Sequence, residues 1–143
     1  MYDAPGAGTE NLAAKARGWL DGLFAPWVKS LDLQLAKIEA GEAQLRLPFS
    51  TALCREGGTI CGQAMMAAAD TAMVLAISSI AGEFRPTTTV SLNTSFLRPV
   101  ADGDVMIVAR VIKPGRTLMF GQIDLVGADG KQVAQATTTY AML

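Results

Sequence analysis

The chain has 143 residues, half of them hydrophobic, and a formal net charge of -1. That is enough for one globular domain with a sizeable core, and neither a basic patch nor an acidic tail invites a nucleic-acid partner. Histidine is absent altogether, which excludes Ser-His-Asp and Cys-His nucleophilic systems, His-ligated metals and a His general base. Carboxylates, hydroxyls, backbone dipoles and two cysteines are left to carry any chemistry.

Met1 to Gly8 is small, polar and Gly/Pro-bearing and is expected to be disordered. From about Glu10 to Phe24, Leu12, Ala16, Trp19, Leu20 and Leu23 recur at helical spacing, so an amphipathic helix should end before Pro26. With Lys15 and Arg17 as its basic residues, this helix is better suited to packing on the domain than to a membrane surface. Leu31, Leu33 and Leu35, then Ala43, Leu45 and Leu47, alternate on either side of Ala40-Gly41-Glu42, the pattern of a hairpin. Phe49 to Thr59 is a loop rich in breakers. Gly62 to Ala81 follows, apolar nearly all round and rich in Ala and Met. It is about long enough to span a bilayer, but its apolarity is mostly alanine, it carries Asp70, Thr71, Ser78 and Ser79, and it lacks basic or aromatic anchors. A helix buried at the centre of a soluble fold, with no membrane partner, fits better.

Four strand-like segments come next, Thr87–Leu97, Asp104–Lys113, Arg116–Val126 and Lys131–Met142, with turns at Pro114-Gly115 and Asp129-Gly130. Strands bracketing one apolar helix, with meander-like hairpins after it, predict an α+β domain in which an antiparallel sheet wraps around one long buried central helix, with an extra N-terminal helix. A single curved sheet leaves open edges, so a homo-oligomer is expected. Cys54 and Cys61 are too far apart for CxxC chemistry and too few for zinc; without a signal-peptide pattern, two reduced thiols point to the cytoplasm.

Asp70 is the only charge between Gly62 and Ile77, and it shares a helical stripe with Met66, Met73, Val74 and Ile77. Burying an unpaired carboxylate costs several kcal/mol, so it either has hydrogen-bond partners or sits at the edge of a pocket where its charge is used. A satisfied structural Asp and a functional one fit the position equally. Upstream, Gly57-Gly58-Thr59-Ile60-Cys61-Gly62-Gln63 puts flexible backbone at a helix N-terminus about two turns before the carboxylate. Exposed N–H groups there, with the positive end of the helix dipole, suit an anionic oxygen.

Cys61-Gly62-Gln63, with Asp70 nine residues after the Cys, is followed by Thr89-Val90-Ser91-Leu92-Asn93-Thr94-Ser95-Phe96-Leu97-Arg98-Pro99. This combination resembles the hotdog-fold acyl-CoA thioesterases of the phenylacetate-degradation (PaaI-like) type. Those carry His-Gly-Gly, an Asp nine residues after the His on a buried helix, and a strand of the form Thr/Ser-Val-x-Leu-Asn-x-x-Phe-x-x-Pro. Gly103-Asp104, Lys113 to Leu118 and Asp129 to Ala136 are similar to the family's later hairpins, so the resemblance covers roughly residues 30 to 143. It implies a single hotdog domain over residues 9–143, an acyl-CoA substrate, no cofactor or metal, and a homodimer with one continuous sheet, doubled to a homotetramer.

Carried over residue by residue, the resemblance makes Asp70 the nucleophile or the general base that directs water at the thioester carbonyl. Gly62 would donate its backbone N–H to the oxyanion, and Thr89, or alternatively Thr88, would orient the water or the carboxylate. The Asp of one subunit would face the Gly loop of the other. Cys61 stands where the family His supports the loop, and Gln63 would add an amide donor or narrow the acyl pocket. Arg85, Arg98, Lys113 and Arg116 lie at or beside strand ends, and of these Arg98 and Arg116 are the candidates for the phosphates of coenzyme A. Met66, with Met65 and Met73, would line an adaptable acyl pocket or fill the core. Hydratases and dehydratases of the same architecture use a His, which this chain lacks. The remaining alternative is a non-catalytic acyl-CoA-binding or regulatory protein in which the carboxylate only fixes the loop.

Overall fold

The computed structural model describes residues 7–143. The first helix, α1 (Ala7–Gly22), starts earlier and stops sooner than its periodicity predicts. Positions 7 and 8 are already helical, and the expected disorder of positions 1–6 lies outside the described residues. Gly22 weakens the end of α1, and Pro26 forces Ala25 into an extended conformation (ψ 147°) before a single turn, α2 (Pro26–Lys29), begins. The predicted hairpin forms as β1 (Gln34–Glu39) and β2 (Glu42–Leu47), reversing at Gly41 with φ +85°. Leu31 and Leu33 are buried as their alternation suggests, but they precede the strand, because the chain bends at Asp32 with φ +58°.

The central helix α3 (Gly62–Ala81) has the predicted bounds. Ala68, Ala69, Ala72, Leu75 and Ala76 are fully buried, and the helix is the core of the fold, wrapped by the sheet. Its hydroxyls anchor it: Ser79 Oγ accepts from Gly41 N at 2.9 Å, and Ser78 Oγ accepts from Arg85 N at 3.0 Å. Gly82, in the left-handed region at φ +74°, caps its C-terminus, and Lys15 Nζ of α1 donates to the Gly82 carbonyl at 3.1 Å. Core helix, not membrane span, is thus the role of this apolar segment.

The four later segments are β3 (Thr87–Phe96), β4 (Val105–Pro114), β5 (Leu118–Val126) and β6 (Gln132–Met142). All six strands form one antiparallel sheet in the order β1-β2-β4-β5-β6-β3. The expected run of hairpins holds for β4, β5 and β6 and fails for β3, which pairs with β6 at the far edge. The segment between β3 and β4 contains Pro99 and crosses to the middle of the sheet, held where Ile60 N donates to Val100 O at 2.9 Å. β3 has β6 on one side and a free edge on the other, and it is the least covered strand: Val90 is 59% and Phe96 47% exposed.

Candidate active site

The two ends of the predicted site are built by different devices. At its N-terminus, α3 is preceded by an ordered turn where a flexible loop was expected. Gly57 and Gly58 adopt φ +101° and +82°, Arg55 N donates to Thr59 O at 2.9 Å, and an isolated bridge joins Cys54 to Ile60. Cys61 is the N-cap, extended at ψ 150°, with no side-chain bond to the helix; its own N–H donates to Leu53 O at 2.9 Å. The first bond of the helix runs from Met65 N to Cys61 O. The N–H groups of Gly62, Gln63 and Ala64 are therefore the free donors of a helix N-terminus. Of these three residues Gly62 borders a cleft of about 320 Å³ lined also by Arg55, Met65, Phe96 and Arg98 among others. The Phe96 ring covers Gly62 so closely that a Cβ there would stand 3.1 Å from Cζ.

Asp70 sits in the middle of α3, half-buried, and is held by two strands. Thr89 Oγ1 of β3 donates to Asp70 Oδ1 at 2.9 Å, and the Tyr140 phenol of β6 donates to the same oxygen. Tyr140 also reaches the main-chain carbonyl of Asp70 at 3.3 Å. Oδ2 has no partner among the described residues. The donors are cross-strand neighbours, since Thr89 pairs with Tyr140 in the sheet. A bulge follows, with Ser91 pairing to Thr139, so Val90 is an extra residue. This changes the phase of β3. Leu92 and Thr94 turn toward α3 after the bulge, whereas Thr89 does so before it. Tyr140 is fully buried, and that burial, with the Asp70 charge second, pushes its phenol far above the ordinary range. It is a permanent donor.

Of the remaining predicted residues, Arg98 lines the same cleft as Gly62, Cys61 and Gln63 adjoin Gly62 along the chain without lining that cleft, and Met66 lies one turn before Asp70 on the half-buried stripe. Thr88 is exposed and pairs with Ala141, making no bond to Asp70, so Thr89 is the hydroxyl that meets the carboxylate. Arg116 is set apart, in the β4–β5 turn at the opposite end of β3 from Arg98, a strand length of roughly 30 Å. Cys54 and Cys61 are both free thiols. Tyr140 escaped the sequence reading, because a Tyr alternating with Ala134, Ala136 and Thr138 reads as core. The available signal was that a buried phenol needs a hydrogen-bond partner.

The model of the family described as the thioesterase superfamily matches residues 57–134, which hold Gly62, Asp70 and Thr89. A Saccharolobus solfataricus protein named "Putative esterase" is 30% identical over 115 residues, covering 80% of this chain and 81% of that protein. Among solved structures, a thioesterase family protein from Silicibacter pomeroyi is 27% identical with a TM-score of 0.81, covering 92% of this chain and 98% of its own. The PaaI protein of the E. coli phenylacetic acid degradation operon is 18% identical with a TM-score of 0.83 over 94% of this chain and 95% of its own, a likeness of fold.

Proposed function

We propose that this chain, which belongs to the thioesterase superfamily and is a thioester hydrolase with the hotdog fold, hydrolyses acyl-CoA to a free acid and coenzyme A through Asp70. The observation that carries this reading is the asymmetry of the carboxylate. Oδ1 accepts from Thr89 and Tyr140, and Oδ2 is left to take a proton from water or to attack the carbonyl. In the water route, the oxygen adds to the thioester carbon, its proton moves to Oδ2, and the new oxyanion takes the N–H of Gly62. Collapse breaks the C–S bond, and the proton passes from Oδ2 to the departing thiolate.

One chain cannot assemble this site. Gly62 and Asp70 are eight residues apart on one straight helix, about 12 Å along its axis, whereas both groups must lie about 3 Å from the reacting atoms. The missing half comes from a second copy, so the reading requires a homodimer, with the free β3 edge and the half-buried stripe of Met66, Ala67, Asp70 and Val74 in the interface. Pairing of two such dimers into a tetramer follows from the resemblance. Gln63 and Cys61 flank the oxyanion donor, Met66 borders the acyl group, and Arg98, beside the Gly62 cleft, takes a coenzyme A phosphate. Arg116 reaches the same substrate only from the partner. The free thiols suit the cytoplasm.

The test is turnover of acetyl-, hexanoyl-, decanoyl- and benzoyl-CoA followed with a thiol reagent. Asp70→Asn should lower kcat by at least about a hundredfold with dimer and fold intact. A variant at wild-type turnover sinks the mechanism, and no turnover of any thioester by the wild type favours the acyl-CoA-binding alternative. Rapid quench of a single turnover separates the two routes, since direct attack expels the coenzyme A thiolate and passes through an acyl anhydride on Asp70 that mass spectrometry detects, whereas water attack leaves Asp70 unmodified throughout.

A further inference from the structure

Tyr140 has no place in the reading of the sequence, yet it makes the most enclosed contact to Asp70. A carboxylate on an exposed helix face turns freely about its last torsion, and its two oxygens exchange roles. Here that exchange is blocked. Two donors converge on Oδ1, one from each member of a cross-strand pair, and the phenol also contacts the carbonyl of the same residue at 3.3 Å. The bulge at Val90 is what turns Thr89 onto this face, so the arrangement is built into the backbone of β3 and is more than a chance side-chain encounter.

We propose that Tyr140 is a positioning residue: its buried phenol, with the Thr89 hydroxyl, pins Asp70 through Oδ1 so that Oδ2 alone meets the thioester or its attacking water. This rests on the catalytic role proposed for Asp70. Tyr140 does not itself reach substrate, because it is fully buried beneath the carboxylate. It is not an acid for the leaving thiolate either, since burial and the adjacent charge keep its proton in place. Its contribution passes through Asp70 and vanishes when Asp70 does.

A four-enzyme cycle tests this, using whichever member of the acyl-CoA panel the wild type turns over fastest. Tyr140→Phe keeps the ring and deletes the donor. It should lower kcat by about tenfold to a hundredfold, the cost of a misplaced reacting group, with KM held within about twofold. In the Asp70→Asn background the same substitution should change the residual rate by less than about twofold. A wild-type kcat for Tyr140→Phe, or an equal loss in both backgrounds, overturns the proposal while leaving Asp70 catalytic. An Asp70→Asn enzyme at full turnover removes both readings together. A second measurement stands apart from the folding of that variant. The chain has two tyrosines, Tyr2 and Tyr140, so 3-fluorotyrosine in a Tyr2→Phe protein reports on Tyr140 alone. Its fluorine resonance should move on Asp70→Asn and stay put on Thr88→Ala. A resonance indifferent to Asp70→Asn overturns the contact.

Discussion

Mixed dimers give the sharpest test of the shared site. Gly62 is the first residue of α3, the position where proline is tolerated, and Cys61 before it already holds the extended conformation that proline imposes. Gly62→Pro thus removes one N–H and little else. The added ring meets Phe96, whose Cζ lies 3.1 Å from a Cβ at this position, and that half-exposed ring need move only a few tenths of an ångström. Losing one oxyanion donor should cost about two to three orders of magnitude in kcat. Asp70→Asn should cost as much for a different reason. In a dimer with one chain of each kind, one site inherits both lesions and the other inherits neither. Heterodimers isolated through two affinity tags should therefore recover about half the wild-type rate, and an unfractionated equal mixture about a quarter. Heterodimers as inactive as their parents, or light scattering that finds an active monomer, would refute the 12 Å argument.

Cys61 caps α3 without a side-chain bond, so Cys61→Ser supplies a proper N-cap; it should keep most of the activity and stabilise the fold by about 0.5–1 kcal/mol in urea melts. Loss of activity with an intact fold, and an acyl adduct on Cys61 by mass spectrometry, would make the thiol the nucleophile. Thr138 Oγ1 is buried with no partner among the described residues, so the isosteric Thr138→Val should raise stability by about 1 kcal/mol, and a destabilised variant would show that the hydroxyl has a use. The Tyr140 phenol is raised in the folded state, first by burial and then by Asp70, so above pH 10 the unfolded chain gives up that proton while the folded chain keeps it. Stability present below about pH 10 is lost as pH rises past it, and melting temperatures should fall more steeply there for wild type than for Tyr140→Phe. Parallel curves would contradict this.

The bounds of α3 were legible because an alanine-rich run with one charge has few ways to exist in a soluble domain, and Gly82 marks its end. The strands were legible from alternation and their Gly-containing turns. Alternation says nothing about which distant strand is a neighbour, so the pairing of β3 with β6 was hidden. So was the bulge at Val90: a regular pleat would set Thr88, Val90 and Leu92 on one face, whereas the extra residue lets Thr89 and Leu92 share it. Gly62 and Asp70 stood out through backbone freedom and isolated charge. Tyr140 did not, because its significance is a contact seventy residues away along the chain.

Alanine along the buried face of α3 lets the sheet close tightly on the helix. At Gly121 even a methyl group would fall 2.2 Å from Met73 Cε. The flexible end of Met73 fills the space beside Gly121, and it would have to turn aside before anything else entered that layer. Under the proposed function, the surfaces left to discriminate one substrate from another are the outer stripe of the helix, the free margin of β3 and the cleft beside Gly62. On that reading selectivity and foldability fall on largely separate residues, and Met65, buried in the core yet lining the cleft, is where the two meet.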